Sequence, residues 1–140
     1  MFLGGMISAP DHAADARLML CPGRDPVRFF QRIRGTTHHL VLFAGTLATG
    51  ETHRRLQALA DATMHEYPDR IEPHLIVPHE LPEDLVGKGE ILLDPRGELH
   101  HRYGARNACM YVVRPDGYIG FRSQPPDPEA LKSYFKQIFL

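Results

Sequence analysis

The feature that most constrains this chain is a strand–helix–strand order with short joins near its middle. His39 to Gly45 (His-Leu-Val-Leu-Phe-Ala-Gly) is a continuous apolar run of strand length. A run without alternation predicts a strand covered on both faces, as at the centre of a parallel sheet. The next segment carries a helical stripe: Leu56, Leu59, Ala60, Thr63, Met64 and Tyr67 fall on one face of an α-helix. Glu51 near its start suits the helix dipole, and Pro68 ends it. His74-Leu75-Ile76-Val77, held between Pro73 and Pro78, reads as the next strand. Two strands joined through one helix form a βαβ unit, so they should be parallel with a right-handed crossover.

The flanking segments complete a plan. Between Arg17 and Cys21 the segment Arg17-Leu18-Met19-Leu20 reads as a short strand, broken by Pro22-Gly23. Asp25-Pro26 reads as a helix start, with Asp as N-cap and Pro at the first helical position. Val27, Phe30 and Ile33 give that helix a stripe and Gly35 its stop. Residues 1–16 show little periodicity and are expected to form a flexible arm, leaving 17–140 as a single domain. His79 to Gly89 is polar and reads as a loop; Ile91 to Asp94 is a short strand followed by the turn Asp94-Pro95-Arg96-Gly97. Met110–Arg114 and Tyr118–Arg122 predict a hairpin through Asp116-Gly117, a pair that favours a type I′ turn. Asp127-Pro128 opens a last helix with Leu131, Tyr134, Phe135, Ile138 and Phe139 on one face. This order predicts an α/β, thioredoxin-like fold: a central mixed β-sheet flanked by helices.

Charge and composition exclude several roles. The 140 residues carry a formal net charge of −1, which gives no field to gather nucleic acid. The apolar runs fall far short of the roughly 20 residues a membrane-spanning helix needs. With two cysteines, Cys21 and Cys109, no disulfide framework is implied. Met1 to Met6 lacks the basic region of a signal peptide, so a cytoplasmic location is expected.

A fold of this class invites a search for thiol chemistry at the turn after the first strand of the βαβ unit, where a helix N-terminus lowers a thiol pKa. Here that turn reads Gly45-Thr46-Leu47-Ala48-Thr49-Gly50, without cysteine. A Cys-x-x-Cys pair and a peroxidatic thiol are both excluded there. Cys21, in a polar loop near Arg24, is the more reactive candidate, while Cys109 enters a core strand. Among nine histidines, His38-His39, His100-His101, and His74 with His79 are the places to test for metal. Neighbours on a strand face opposite sides, so each adjacent pair offers at most one ligand. Solvated surface histidines are the plainer reading. Gly87-Lys88-Gly89 precedes a strand and reads as a flexible loop, and no Gly-x-Gly-x-x-Gly occurs. Glu80, Glu83 and Asp84 read as a solvated loop. No catalytic, cofactor-binding or metal-binding residue is therefore expected.

The second half carries a more specific pattern. Leu92-Leu93-Asp94-Pro95-Arg96-Gly97, then Tyr103-Gly104, then Tyr111 to Ser123 with Arg114-Pro115-Asp116-Gly117-Tyr118 and Arg122, resembles the C-terminal domain of FAD-dependent aromatic-ring hydroxylases. That family includes phenol hydroxylase-like and polyketide hydroxylase-like flavin monooxygenases. Asp94, Gly97, Tyr103, Arg114, Pro115, Asp116, Gly117 and Arg122 are its signature positions here. Ala9-Pro10-Asp11, Arg34-Gly35-Thr36 and Leu40 to Phe43 are similar to the start of the same domain. The resemblance implies a thioredoxin-like fold without redox cysteines and a role in packing or dimerisation. It implies as partner a flavin hydroxylase chain or a second copy of this one. FAD is expected only in an associated hydroxylase domain, and no catalysis is expected of the isolated chain. The aromatic side chains of the last helix, Tyr134, Phe135 and Phe139, are read as exposed and suited to a dimer contact. Two alternatives stand beside this: an atypical thiol oxidoreductase or peroxidase using Cys21 or Cys109, and a small-ligand module with His79 to Gly89 as its lid.

Overall fold

The computed structural model describes residues 12–85 and 90–139. In chain order the elements are β1 (Arg17–Cys21), β2 (Asp25–Arg28), α1 (Phe29–Arg32), β3 (His38–Phe43), α2 (Gly50–Glu66) and β4 (Ile71–Pro78). A 3₁₀ turn at Glu83–Leu85 follows, then β5 (Ile91–Asp94), α3 (Glu98–Arg102), β6 (Cys109–Val113), β7 (Ile119–Ser123) and α4 (Pro128–Ile138). Among the described residues the strands form one seven-stranded sheet, ordered β2-β1-β5-β4-β3-β6-β7. β3 and β4 pair in parallel, as do β4 and β5; the other pairings are antiparallel. The expected thioredoxin-like α/β architecture is the one observed.

Both faces of the sheet are covered, which explains the unbroken apolar runs. Val41, Phe43, Ile76, Tyr111 and Val113 pack on one side with Phe29, Leu99 and Tyr103. Leu40, Leu42, Leu75, Val77, Met110 and Val112 pack on the other with Leu56, Ala60, Leu131 and Phe135. Each such side chain contributes about 1.5–3 kcal/mol on burial. The helices are held at their starts by the residues the sequence supplies. Thr49 Oγ1 accepts from Thr52 N, and Asp127 Oδ1 accepts from Glu129 N and Ala130 N, both at 3.1 Å.

β4 runs through Pro73, beyond the limits the flanking prolines suggested. Ile76 O accepts from Ala44 N, so even-numbered residues of β4 turn their backbone polar groups to β3. Pro73 turns the other way, and β5 begins its pairing only at Ile76. The missing N–H therefore faces no strand.

Four expectations are corrected. Asp25-Pro26 does not open a helix: Asp25–Arg28 is an edge strand paired with β1, and α1 is a single turn beginning at Phe29. Arg24, at φ 59°, turns the chain back on itself, and an edge strand tolerates Pro26. The β6–β7 hairpin forms as expected, but not through a type I′ turn. Such a turn needs positive φ at both central residues; Gly117 has it at 86° and Asp116 does not. Instead Gly117 N bonds to Arg114 O and Arg114 N to Tyr118 O, a turn with Pro115 in second place and a left-handed Gly117. The aromatic residues of α4 are not an exposed face. Phe135 is buried, Tyr134 stacks on Phe121 at 5.2 Å between centroids, and Phe139 lies 5.3 Å from Tyr67. Finally, the end of the segment read as a flexible arm is docked. His12 bridges to Tyr118, and Ala13 and Ala16 are buried. Residues 1–11, including Ala9-Pro10-Asp11, lie outside the described residues, as does Gly87-Lys88-Gly89. Among the described residues no helix is long and apolar enough to cross a membrane.

Candidate functional site

The turn after β3 is where a thioredoxin-like fold would present a thiol, and here its amides are engaged by the chain itself. Gly45 N donates to His100 Nε2 at 3.2 Å. With Nε2 accepting, the His100 proton sits on Nδ1 and is donated to Asp94 Oδ2 at 2.9 Å. The same Asp94 oxygen accepts from His100 N at 2.8 Å. Asp94 and His100 are both fully enclosed. Thr46 N and Leu47 N bond to the carbonyls of Ala105 and Arg106 at 3.3 and 3.1 Å. Gly45 has φ 89°, and a Cβ there would lie 2.6 Å from Asn107 C, so glycine alone fits. This end of the sheet is a closed packing joint between β3, β5 and α3.

The cysteines do not replace the missing thiol. Cys21 ends β1 rather than lying in a polar loop, and both Cys21 and Cys109 are 1% exposed. They sit on opposite faces of the sheet, four strand spacings apart, or about 19 Å. Burial pushes the Cys109 thiol up to about 12. A nucleophilic thiolate needs the opposite surroundings.

The eight signature residues each have a place in the scaffold. Asp94 organises His100, and Gly97, at φ 66°, admits the chain into α3. Tyr103 Oη accepts from Ala14 N at 2.9 Å and donates to Ala14 O at 3.2 Å, which ties down the N-terminal segment. Tyr111 Oη donates to Tyr103 O at 2.8 Å, and the Arg122 guanidinium lies over the Tyr111 ring. Arg114 forms an ion pair with Asp116 that raises its own pKa and lowers that of Asp116. Asp116 Oδ1 also accepts from Tyr118 N at 3.1 Å, beside Pro115 and Gly117 at the hairpin tip. These residues are spread over a buried joint, a core ring stack and an exposed turn. They do not converge on one pocket.

A second group of polar side chains does converge, at the opposite end of β3. In the parallel register His39 faces Glu72 and Val41 faces His74, which puts His39, Glu72 and His74 on one face of the sheet. His39 Nδ1 is 2.9 Å from His74 Nε2 and 3.6 Å from Glu72 Oε2. His39 Nε2 meets Arg34 O at 3.2 Å. A carbonyl only accepts, so the His39 proton is on Nε2 and its Nδ1 accepts the proton of His74 Nε2. Burial lowers the pKa of His39 despite Glu72. Burial first, then the neighbouring His39 and Arg32, push His74 down to about 3. Both rings are neutral, and the His39–Glu72 contact is not an ion pair.

Of the histidine groups singled out in the sequence, His39 and His74 come together. His38 packs against Phe139, and the exposed His79 lies 3.4 Å from Pro95 O. Four of the nine histidines, at 39, 53, 74 and 100, are buried rather than solvated. They are tolerated because each finds a polar partner, His53 with Asp84 at 3.2 Å among them. Glu72 was not singled out from sequence. Its spacing of two from His74, on a strand in register with His39, was the available signal.

The fold and the closed turn define a thioredoxin-like α/β domain with no thiol at the position where that fold carries one. Solved structures support the architecture. A thiol peroxidase from Chromobacterium violaceum is similar with a TM-score of 0.71 at 12% identity, over 96% of this chain and 90% of that one. The exposed lipoprotein thioredoxin of Streptococcus pneumoniae strain TIGR4 has a TM-score of 0.64 at 18% identity, over 89% and 99%. Aklavinone-11 hydroxylase, solved with FAD and aklavinone, has a TM-score of 0.61 at 18% identity. There 91% of this chain is covered but only 20% of the hydroxylase, so the chain spans about a fifth of that enzyme. Residues 86–140 match the family described as phenol hydroxylase, C-terminal dimerisation domain. No curated protein sequence matches significantly. Residues 86–140 thus resemble a phenol hydroxylase C-terminal dimerisation domain, and the likeness to aklavinone-11 hydroxylase is one of fold.

Proposed function

We propose that this chain is a non-catalytic packing module of the flavin hydroxylase kind, acting through contact with a hydroxylase chain or with a second copy of itself. The observation that carries the reading is the Gly45–Gly50 turn. It lacks a thiol, and its first amides are already bonded to His100, Ala105 and Arg106. The match of residues 86–140 to a dimerisation domain supports association as the role. FAD, on this reading, belongs to the associated hydroxylase. In keeping with that reading, no Gly-x-Gly-x-x-Gly occurs in the sequence, and the turn from β3 into α2 has its first amides engaged.

Thiol catalysis is the competing class and is directly testable. Peroxide and disulfide reduction should stay at background for the parent protein, and Cys21→Ser and Cys109→Ser should leave that background unchanged. Turnover that disappears with either substitution would remove the proposal.

A further inference from the structure

The geometry points to a divalent transition-metal site of the zinc class formed by His39 Nδ1, His74 Nε2 and a Glu72 carboxylate oxygen. The three ligand atoms lie within 4.8 Å of one another. They come from adjacent parallel strands whose register places them on one face. Two imidazoles and one carboxylate, with a further position left for solvent, are a donor set that zinc accepts.

The two nitrogens, 2.9 Å apart, subtend about 90° at an ion placed about 2.05 Å from each. Opening their separation by about 0.4–0.5 Å gives the tetrahedral angle. Both rings are enclosed, and Glu72 is half exposed, so the ion would enter from the Glu72 side. The outer shell is also present. His39 Nε2 donates to Arg34 O, which leaves Nδ1 as the lone-pair nitrogen aimed at the other two ligands. On binding, the His74 proton moves from Nε2 to Nδ1 of the same ring, and the ion takes over the hydrogen bond between the two histidines. Arg32, a nearby cation, directs its Nη2 to Glu90 Oε2 at 2.9 Å. The site lies at the start of β3, about 20 Å along that strand from the Gly45 turn. It is therefore separate from that turn.

The test uses the full chain, stripped with chelator and titrated with Co²⁺ and Zn²⁺. Cobalt should give the visible d–d bands of a low-symmetry four- or five-coordinate site at one ion per chain, and zinc should displace it. Glu72→Gln, at a half-exposed position, should weaken binding at least tenfold while circular dichroism stays that of the parent. His74→Gln should abolish the bands, and the exposed His79→Ala and His101→Ala should leave them intact. The proposal fails if cobalt gives no such bands, or if folded Glu72→Gln binds as tightly as the parent. Glu72→Gln decides the matter even where His74→Gln does not fold.

Discussion

His100 Nε2 accepts the amide of Gly45 at 3.2 Å, so a side chain from α3 holds the turn that follows β3. The other ring nitrogen is committed to Asp94, and all three groups are enclosed. His100→Ala removes both side-chain bonds, so the buried Gly45 amide loses its partner and the Asp94 carboxylate keeps only the backbone amide of residue 100. Leaving a buried group without its hydrogen bond costs about 1–3 kcal/mol, more for a charged one. Urea unfolding should show a loss in this range; a loss below about 1 kcal/mol would mean that the joint is not the anchor described.

Gly45 and Gly35 offer a paired test of the same joint. Both have positive φ, but a Cβ at Gly45 meets the backbone of Asn107 at 2.6 Å, whereas one at Gly35 meets nothing within 4 Å. Gly35→Ala pays only for its backbone conformation, about 1–2 kcal/mol. Gly45→Ala adds a collision with backbone that cannot rotate away. Its unfolding midpoint should fall well below that of Gly35→Ala, and equal midpoints would contradict the close approach.

Tyr103 ties the segment 12–16 to the core through both polar atoms of Ala14. Tyr103→Phe keeps the ring packing against Phe29, Phe43 and Tyr111 and removes those two bonds. The expected cost is about 1–2 kcal/mol, with faster amide exchange at Ala13 and Ala14 and little change in β3. By contrast Arg114→Ala, at the exposed hairpin tip, should shift the midpoint less than Tyr103→Phe, since surface ion pairs contribute little.

Alkaline pH should expose the buried acids. Cys109 is raised from its ordinary 9.0 to about 12, and Tyr111 from 10.0 to about 12, both chiefly by burial. Above pH 9 the unfolded chain releases the thiol proton while the folded chain keeps it. The stabilisation is whole below pH 9 and is lost as pH rises toward 12, at about 1.4 kcal/mol per pH unit for one group. Unfolding followed between about pH 9 and pH 11 should therefore be less steep in pH for Cys109→Ala than for the parent. Equal slopes would contradict the burial of the thiol.

Most of the architecture was legible because its signals are local. The apolar run 39–45, the stripe from Leu56 to Tyr67 and the Asp127-Pro128 start each specify one element within a short window. What was missed depends on partners distant in sequence. Asp25-Pro26 has the chemistry of a helix start, yet pairing with β1 prevails. The hairpin tip was misread in detail because Pro115, fixed at negative φ, dictates the turn ahead of Asp116-Gly117. The aromatic residues of α4 read as exposed only because Tyr67 and Phe121, which cover them, lie on other elements. The histidines followed the same logic. His39 and His74 become neighbours through strand register, and His100 meets Gly45 through a short helix, α3, whose five residues carry no periodic signal.

On the proposed function this domain works by association rather than by chemistry of its own. The most direct measurement is the native mass and flavin absorbance of the protein purified from its source with untagged partners retained. Elution above monomer mass is expected, either as a dimer or together with a larger chain that carries the flavin band. A colourless monomer without a partner, across a wide range of concentration, would contradict it.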